Sequence, residues 1–170
     1  MMSLAQSLLP EFDQEMMLTR KTLERVPTDK GAWKPHPKSF SLGHLAQLVA
    51  RMPAWLTLTV QQTELDLNPP AGERKFPGYS LETTETLLRE FDDNIASARA
   101  AIAAASDSEF MVPWSLKVAG KTVLTLPRIG MVRNTMNHLI HHRGQLTVYF
   151  RLIDVPVPAL YGPSADEKAF

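Results

Sequence analysis

The sequence predicts an all-α protein, a four-helix bundle with a short β-hairpin between the third and fourth helices. Three observations carry that expectation. Four stretches repeat apolar residues at helical spacing, the joins between them are rich in proline and glycine, and one stretch switches to strict alternation. No internal repeat or inter-domain linker interrupts the pattern, so residues 1–170 are read as one domain.

The first helix spans about 3–26, with Leu4, Leu8, Phe12, Met16 and Leu23 on one face. Pro10 is either an early-turn proline or a kink, and the helix stops before Pro27 because the residue preceding a proline is pushed out of the α region. Prolines 27, 35 and 37 with Gly31 make a loop, from which Trp33 tucks against the bundle and His36 projects into solvent. Ser41 is the expected N-cap of a second helix from Leu42 to Leu67. Its apolar positions Leu45, Leu48, Met52, Trp55, Leu56 and Leu58 wrap widely, as in a well-buried helix, and Pro53 kinks it.

Residues 68–79 read as a loop, and Ser80 as the opening of a third helix with Leu87, Phe91, Ile95, Ala98 and Ile102 inward. Val112, Trp114, Leu116 and Val118 then alternate up to a turn at Ala119-Gly120-Lys121, after which Val123, Leu124 and Leu126 return as the second hairpin strand. Pro127 starts the fourth helix, which runs to Leu152. Prolines 156, 158 and 163 keep the end extended, with 163–170 as a loose charged tail.

Composition narrows the function. Lysine plus arginine and aspartate plus glutamate balance at 18 each, so no global field recruits nucleic acid or an anionic membrane. No window approaches the ~20 apolar residues of a membrane span, and the first residues lack the basic start of a secretion signal, so a cytoplasmic protein is expected. Cysteine is absent, which excludes disulfides, thiolate metal ligands and a cysteine nucleophile. Phosphate-binding glycine loops, the serine elbow, HExxH and paired Glu-x-x-His motifs are absent too. Lys117, Lys121, Arg128 and Arg133 read as a solvated rim.

The informative cluster is NHLIHHRGQ, residues 137–145, which holds three of the five histidines. His138 and His142 are four apart and so share a helix face, the geometry in which one helix offers two imidazoles to one ion. At ~100° per residue, Met131, Asn134, His138, His142, Gln145 and Tyr149 form one stripe, with His141 on its flank and Arg143 turned away. On the second helix His44, Leu48, Arg51 and Trp55 form another. Two imidazoles are an incomplete site, since zinc or nickel needs at least one more protein ligand. His44 is the only other helical histidine.

With these residues in view, the chain resembles the DinB-like family, also called DinB/YfiT-like metalloenzymes. The resemblance rests on WKPHPKSFSLGHLA, on the hairpin PWSLKVAGKTVLTLPR, and on NHLIHHRGQLTVYFRLIDVPVPALYGPSADE. It implies a four-helix bundle, a homodimer, and a divalent metal, nickel or zinc, held by one histidine of helix two and two of helix four. It also implies kinship with transferases that use an external low-molecular-weight thiol, bacillithiol or mycothiol, on a small-molecule substrate. By position His138 and His142 match the two helix-four ligands. The third departs: relatives have histidine where this chain has Leu48, and His44 stands one turn, ~5.4 Å, earlier. Either His44 substitutes with a shifted metal, or the triad is broken and the bundle has become a non-catalytic binding protein. Arg51, Trp55, Asn134, Gln145 and Tyr149 are the expected pocket residues around the site.

Overall fold

In the computed structural model, which describes residues 2–69 and 78–168, four long helices form the bundle. Helix α1, Leu4–Leu23, starts in a capping box in which the Ser3 hydroxyl accepts from the Gln6 N–H and the Gln6 side chain accepts from the Ser3 N–H. Pro10 lies inside α1, and Leu8, Phe12 and Leu23 are fully buried. One 3-10 turn, Thr28–Lys30, leads to α2, Leu42–Gln61, where the Ser41 hydroxyl accepts from the His44 N–H at 3.3 Å. Helix α2 contains Pro53 and carries the densest core face of the fold, with Leu42, Leu45, Ala46, Val49, Met52 and Leu56 all fully buried.

Helix α2 is shorter than the expected Leu42–Leu67. After Gln61 the sequence Thr63-Glu64-Leu65-Asp66-Leu67 alternates polar and apolar, and Glu64–Asp66 becomes a strand, β1. Of the loop expected at 68–79, residues 70–77 lie outside the described ones. Helix α3, Thr84–Ala104, begins four residues later than Ser80, because Thr83 and Thr86 form the capping box. Ser80 instead offers its carbonyl to the Gln47 amide, and Leu81 lodges against two glycines. A Cβ on Gly43 would lie 3.0 Å from the Leu81 Cβ and 3.1 Å from the Gly31 carbonyl oxygen, so this close approach requires glycine.

A single-turn helix, α4 at Asp107–Phe110, buries Phe110 before the hairpin begins. Strands β2, Pro113–Val118, and β3, Lys121–Pro127, pair antiparallel through a turn at Ala119 and Gly120, both with positive φ, 50° and 78°. Strand β1 adds parallel to β2 with Leu65 opposite Leu116, giving a three-stranded sheet where only a hairpin was expected. The Asp66 carboxylate clasps the turn by accepting the N–H groups of Ala119 and Gly120 at 3.0 and 2.6 Å. Helix α5, Arg128–Leu152, follows directly after Pro127.

Helix α2 packs on α3 and α5, and α1 packs on the same two, which closes the bundle. A second, smaller apolar cluster of Leu65, Trp114 and Met131 joins the sheet to α2 and α5. Residues 163–168 have definite partners where the sequence suggested a loose tail: Asp166 pairs with Arg151, and Glu167 pairs with Lys21 and Arg25. Arg143, which the helical angles turn away from the site, is 1% exposed and reaches into α1, donating to Glu15 and Thr19. No helix among the described residues is long and apolar enough to cross a membrane.

Candidate histidine site

The histidine face of α5 is ordered by a single amide. Gln145 Oε1 lies 2.7 Å from His142 Nδ1, and Gln145 Nε2 lies 3.1 Å from His141 Nε2. As placed, the amide oxygen accepts from a protonated His142 Nδ1, which leaves His142 Nε2 with its lone pair free. That lone pair faces His138 Nε2 at 2.9 Å, so the neutral His138 donates to His142. Three imidazoles and one amide are thus linked in one hydrogen-bonded chain along a helical face. His142 is buried and His138 sits at the exposed rim, 6.1 Å ring to ring from Trp55. Partial burial lowers the pKa of His138 below the ordinary histidine value, and the neighbouring His142 and His141 add to the effect.

The helix-two residues divide. The His44 ring is sandwiched between Phe40 at 4.3 Å and Tyr79 at 3.9 Å, both nearly parallel to it. Burial, and then Lys34, lower its pKa. Leu48 is buried in the main core and carries no donor atom. Arg51 turns to α3, where it pairs with Glu90 at 2.6 Å and donates to the Gly78 carbonyl. Tyr149 is buried edge-on to Trp33, and its hydroxyl donates to the Phe40 carbonyl at 3.3 Å. Of the residues picked out by sequence, the fold brings Trp55, Asn134 and His138 to one concavity and His142, Gln145 and Tyr149 to another, joined by the His138–His142 hydrogen bond, while His44 stacks on Phe40 and Tyr79 and Arg51 pairs with α3.

Two Nε2 atoms 2.9 Å apart suit a shared ion, since metal–nitrogen bonds of about 2.0–2.1 Å at right to tetrahedral angles put ligand atoms roughly 2.9–3.4 Å apart. A third ligand is what the site lacks. Among the described residues no three histidine, cysteine, aspartate or glutamate side chains gather closely enough to hold a metal ion. The three-histidine set implied by the resemblance is therefore not assembled by His44, His138 and His142, and the residues present do not fit that centre.

Two concavities flank the pair. On the side of the loop before α2, a cleft of about 200 Å³ is lined by Lys38, Phe40, His142, Gln145 and Tyr149. On the sheet side, a deeper cavity of about 240 Å³ lies between Trp55, Trp114, Leu65 and Met131, with Asn134 and His138 among its lining residues. A larger polar cleft of about 420 Å³ between α2 and α3 is lined by Gln47, Arg51, Glu90 and Asn94 among others and includes no histidine. Met131 lies on the expected stripe, whereas Leu65 and Trp114 are the lining residues that sequence reasoning did not connect with the histidines. Their signal was the alternation of 63–67, read as helix, which hid the strand that brings Leu65 beside Trp114.

A sequence model described as the DinB family matches residues 1–169, nearly the whole chain. The chain belongs to the DinB family. Two crystal structures of DinB-like proteins share its fold. The one from Bacillus cereus ATCC 10987 has a TM-score of 0.70 at 20% identity and covers 94% of this chain and 99% of its own. The other, YjoA from Bacillus subtilis, has a TM-score of 0.67 at 16% identity, covering 89% and 96%. The uncharacterized protein YrdA of Bacillus subtilis strain 168 is 21% identical over 161 residues, 95% of this chain and 90% of YrdA. Membership in the DinB family fits the helical bundle that this chain shares with both crystal structures.

Proposed function

We propose that this DinB-family chain binds a small molecule beside a hydrogen-bonded His138–His142 pair and does not work through a three-histidine divalent centre. The observation that supports this reading is the pair itself: Nε2 to Nε2 at 2.9 Å, braced by Gln145, with Leu48 where a third imidazole is expected. Within the pair the buried His142 has a hydrogen-bond partner at each ring nitrogen, Gln145 at Nδ1 and His138 at Nε2. The concavities on either side supply room for a ligand in contact with one or other imidazole. The pair then serves as a hydrogen-bonding and proton-accepting edge of the pocket.

A second reading is favoured by the same convergence of nitrogens. Two imidazoles would hold nickel or zinc weakly, and the missing ligand would come from outside, as an external thiol in the manner of the thiol-dependent relatives. Metal analysis of untagged protein, beside a His142→Ala variant and a Leu48→His variant, separates the two. The first reading expects far less than one nickel or zinc per chain in the wild type, and at least tenfold tighter metal binding in Leu48→His. One tightly held ion per wild-type chain, lost in His142→Ala, would overturn it. The homodimer implied by the family is tested in the same preparations by light scattering, which reads the 19.0 kDa chain or twice that mass.

A further inference from the structure

We propose that the cavity on the sheet side of the pair is a binding site for a neutral, single-ring aromatic molecule bearing one hydroxyl or carbonyl oxygen. The inference deepens the small-molecule reading above by choosing between the two flanking concavities and naming the ligand class. Its walls carry the argument. Trp114, Leu65 and Met131 are 2%, 3% and 8% exposed and form an apolar cluster distinct from the main core, yet a space of about 240 Å³ remains between them. The space opens to solvent where Leu67, Asn134 and His138 are exposed, so it is a pocket with apolar walls and a polar mouth, the form that small-molecule sites take. A dry apolar cavity of about 150 Å³ accepts benzene. The space here has room for one ring and a short substituent.

The chemistry of the lining sets the rest. Two indoles, Trp55 and Trp114, are among its lining residues, so much of the wall is aromatic. Among the described residues no lysine, arginine, aspartate or glutamate lines the cavity, so these walls offer a counter-charge to neither a carboxylate nor an ammonium. Thr59 is also in the lining, but its hydroxyl already donates to the Trp55 carbonyl at 2.8 Å. Asn134 and His138 are exposed at the rim, and the Asn134 amide makes no hydrogen bond to the described residues. They are the groups that an oxygen on the ring meets as the apolar body enters. The loop-side cleft differs in kind, being shallower and lined by Lys38 and Gln145.

The test is titration of the full chain with p-cresol, toluene and benzoate by calorimetry, in EDTA-treated and in nickel-loaded protein. One saturable p-cresol site is expected, with benzoate at least tenfold weaker. Asn134→Ala is expected to weaken p-cresol about fivefold, the loss of one hydrogen bond of about 1 kcal/mol, while leaving toluene within twofold. Asn134→Trp is expected to cover the mouth and weaken both by tenfold or more. Because Asn134 is exposed, both variants keep the fold, which thermal unfolding checks. Absence of saturable p-cresol binding, tighter binding of benzoate, or p-cresol binding that both variants leave unchanged would each overturn the proposal. The two readings fail separately. One tight nickel per chain with p-cresol binding retained removes the metal-free reading and keeps this one; no metal and no p-cresol binding removes this one alone.

Discussion

Arg143 is the residue whose loss should harm the fold most, and the size of the effect follows from its contacts. Its guanidinium is 1% exposed and donates to the Glu15 carboxylate at 2.7 Å, the Glu15 carbonyl and the Thr19 hydroxyl at 3.0 Å each, and the Tyr161 hydroxyl at 2.6 Å. The Glu15 carboxylate, itself buried, also accepts the Tyr161 hydroxyl at 2.7 Å. Arg143→Met strands that carboxylate in the interior, and breaking one partner of a buried pair costs about 3–5 kcal/mol. For a chain of this length each kcal/mol moves Tm by about 2–4 °C, so the expected drop is roughly 6–20 °C. Replacing both charges by apolar groups removes the stranded ion. The double variant Glu15→Leu/Arg143→Met should therefore be more stable than Arg143→Met alone, with a coupling of about 1–3 kcal/mol. Urea and thermal unfolding of the four proteins in the cycle measure it. If Arg143→Met stays within ~1 kcal/mol of wild type, or the two substitutions simply add, the pair does not hold α1 to α5 as argued.

Other consequences are as direct. Leu48→His without metal buries an imidazole in the core and should cost about 1–3 kcal/mol, while zinc at a hundred times its Kd should return about 2.7 kcal/mol, read as a Tm rise absent in Leu48→His/His142→Ala. Gly43→Ala presses a methyl against Leu81 and the Gly31 carbonyl and should destabilise by about 1–3 kcal/mol in urea unfolding; an unchanged midpoint would show that this corner yields freely. The carboxyl of Asp166 is held below the ordinary range by the Arg151 guanidinium and the Val157 N–H, and that of Glu167 by Lys21 and the Ala159 N–H. Groups lowered in the fold stabilise it fully above their unfolded values and cease to do so as pH falls through the folded ones. Hydrogen-exchange protection of 155–168 should thus be flat from neutral pH to about 5 and fall below about 4. Loss of protection between pH 6 and 8 would contradict this.

The bundle was legible because helical periodicity is a local signal, and α1, α3 and α5 each repeat it for five turns or more. Where local signals competed, the sequence misled. Residues 62–67 continue the apolar spacing of α2, yet Glu64–Asp66 pair with β2, since Leu65 finds Trp114 and Met131 only from a strand. That partnership spans some fifty residues, and no window along the chain contains it. Ser80 is the start that the local sequence suggests for α3, whereas the fold caps it with Thr83. The choice fell to Thr83 because Leu81 is needed against Gly31 and Gly43, a contact between three segments. Arg143 was invisible for the same reason, its partner Glu15 lying on another helix.

The site divides along the same line. His138, His142 and Gln145 are neighbours on one helix, so spacing alone puts them on one face, and the structure joins them there by hydrogen bonds. What spacing along α2 cannot supply is the direction in which His44 is drawn. Phe40 precedes the helix and Tyr79 precedes α3, and together they hold the imidazole between two rings, an arrangement that a metal bond to His44 would have to break. Stacking of this kind contributes about 0.5–1.5 kcal/mol per ring pair. Stacking thus holds His44 in place, while Leu48, one turn further along α2, lies in the main core.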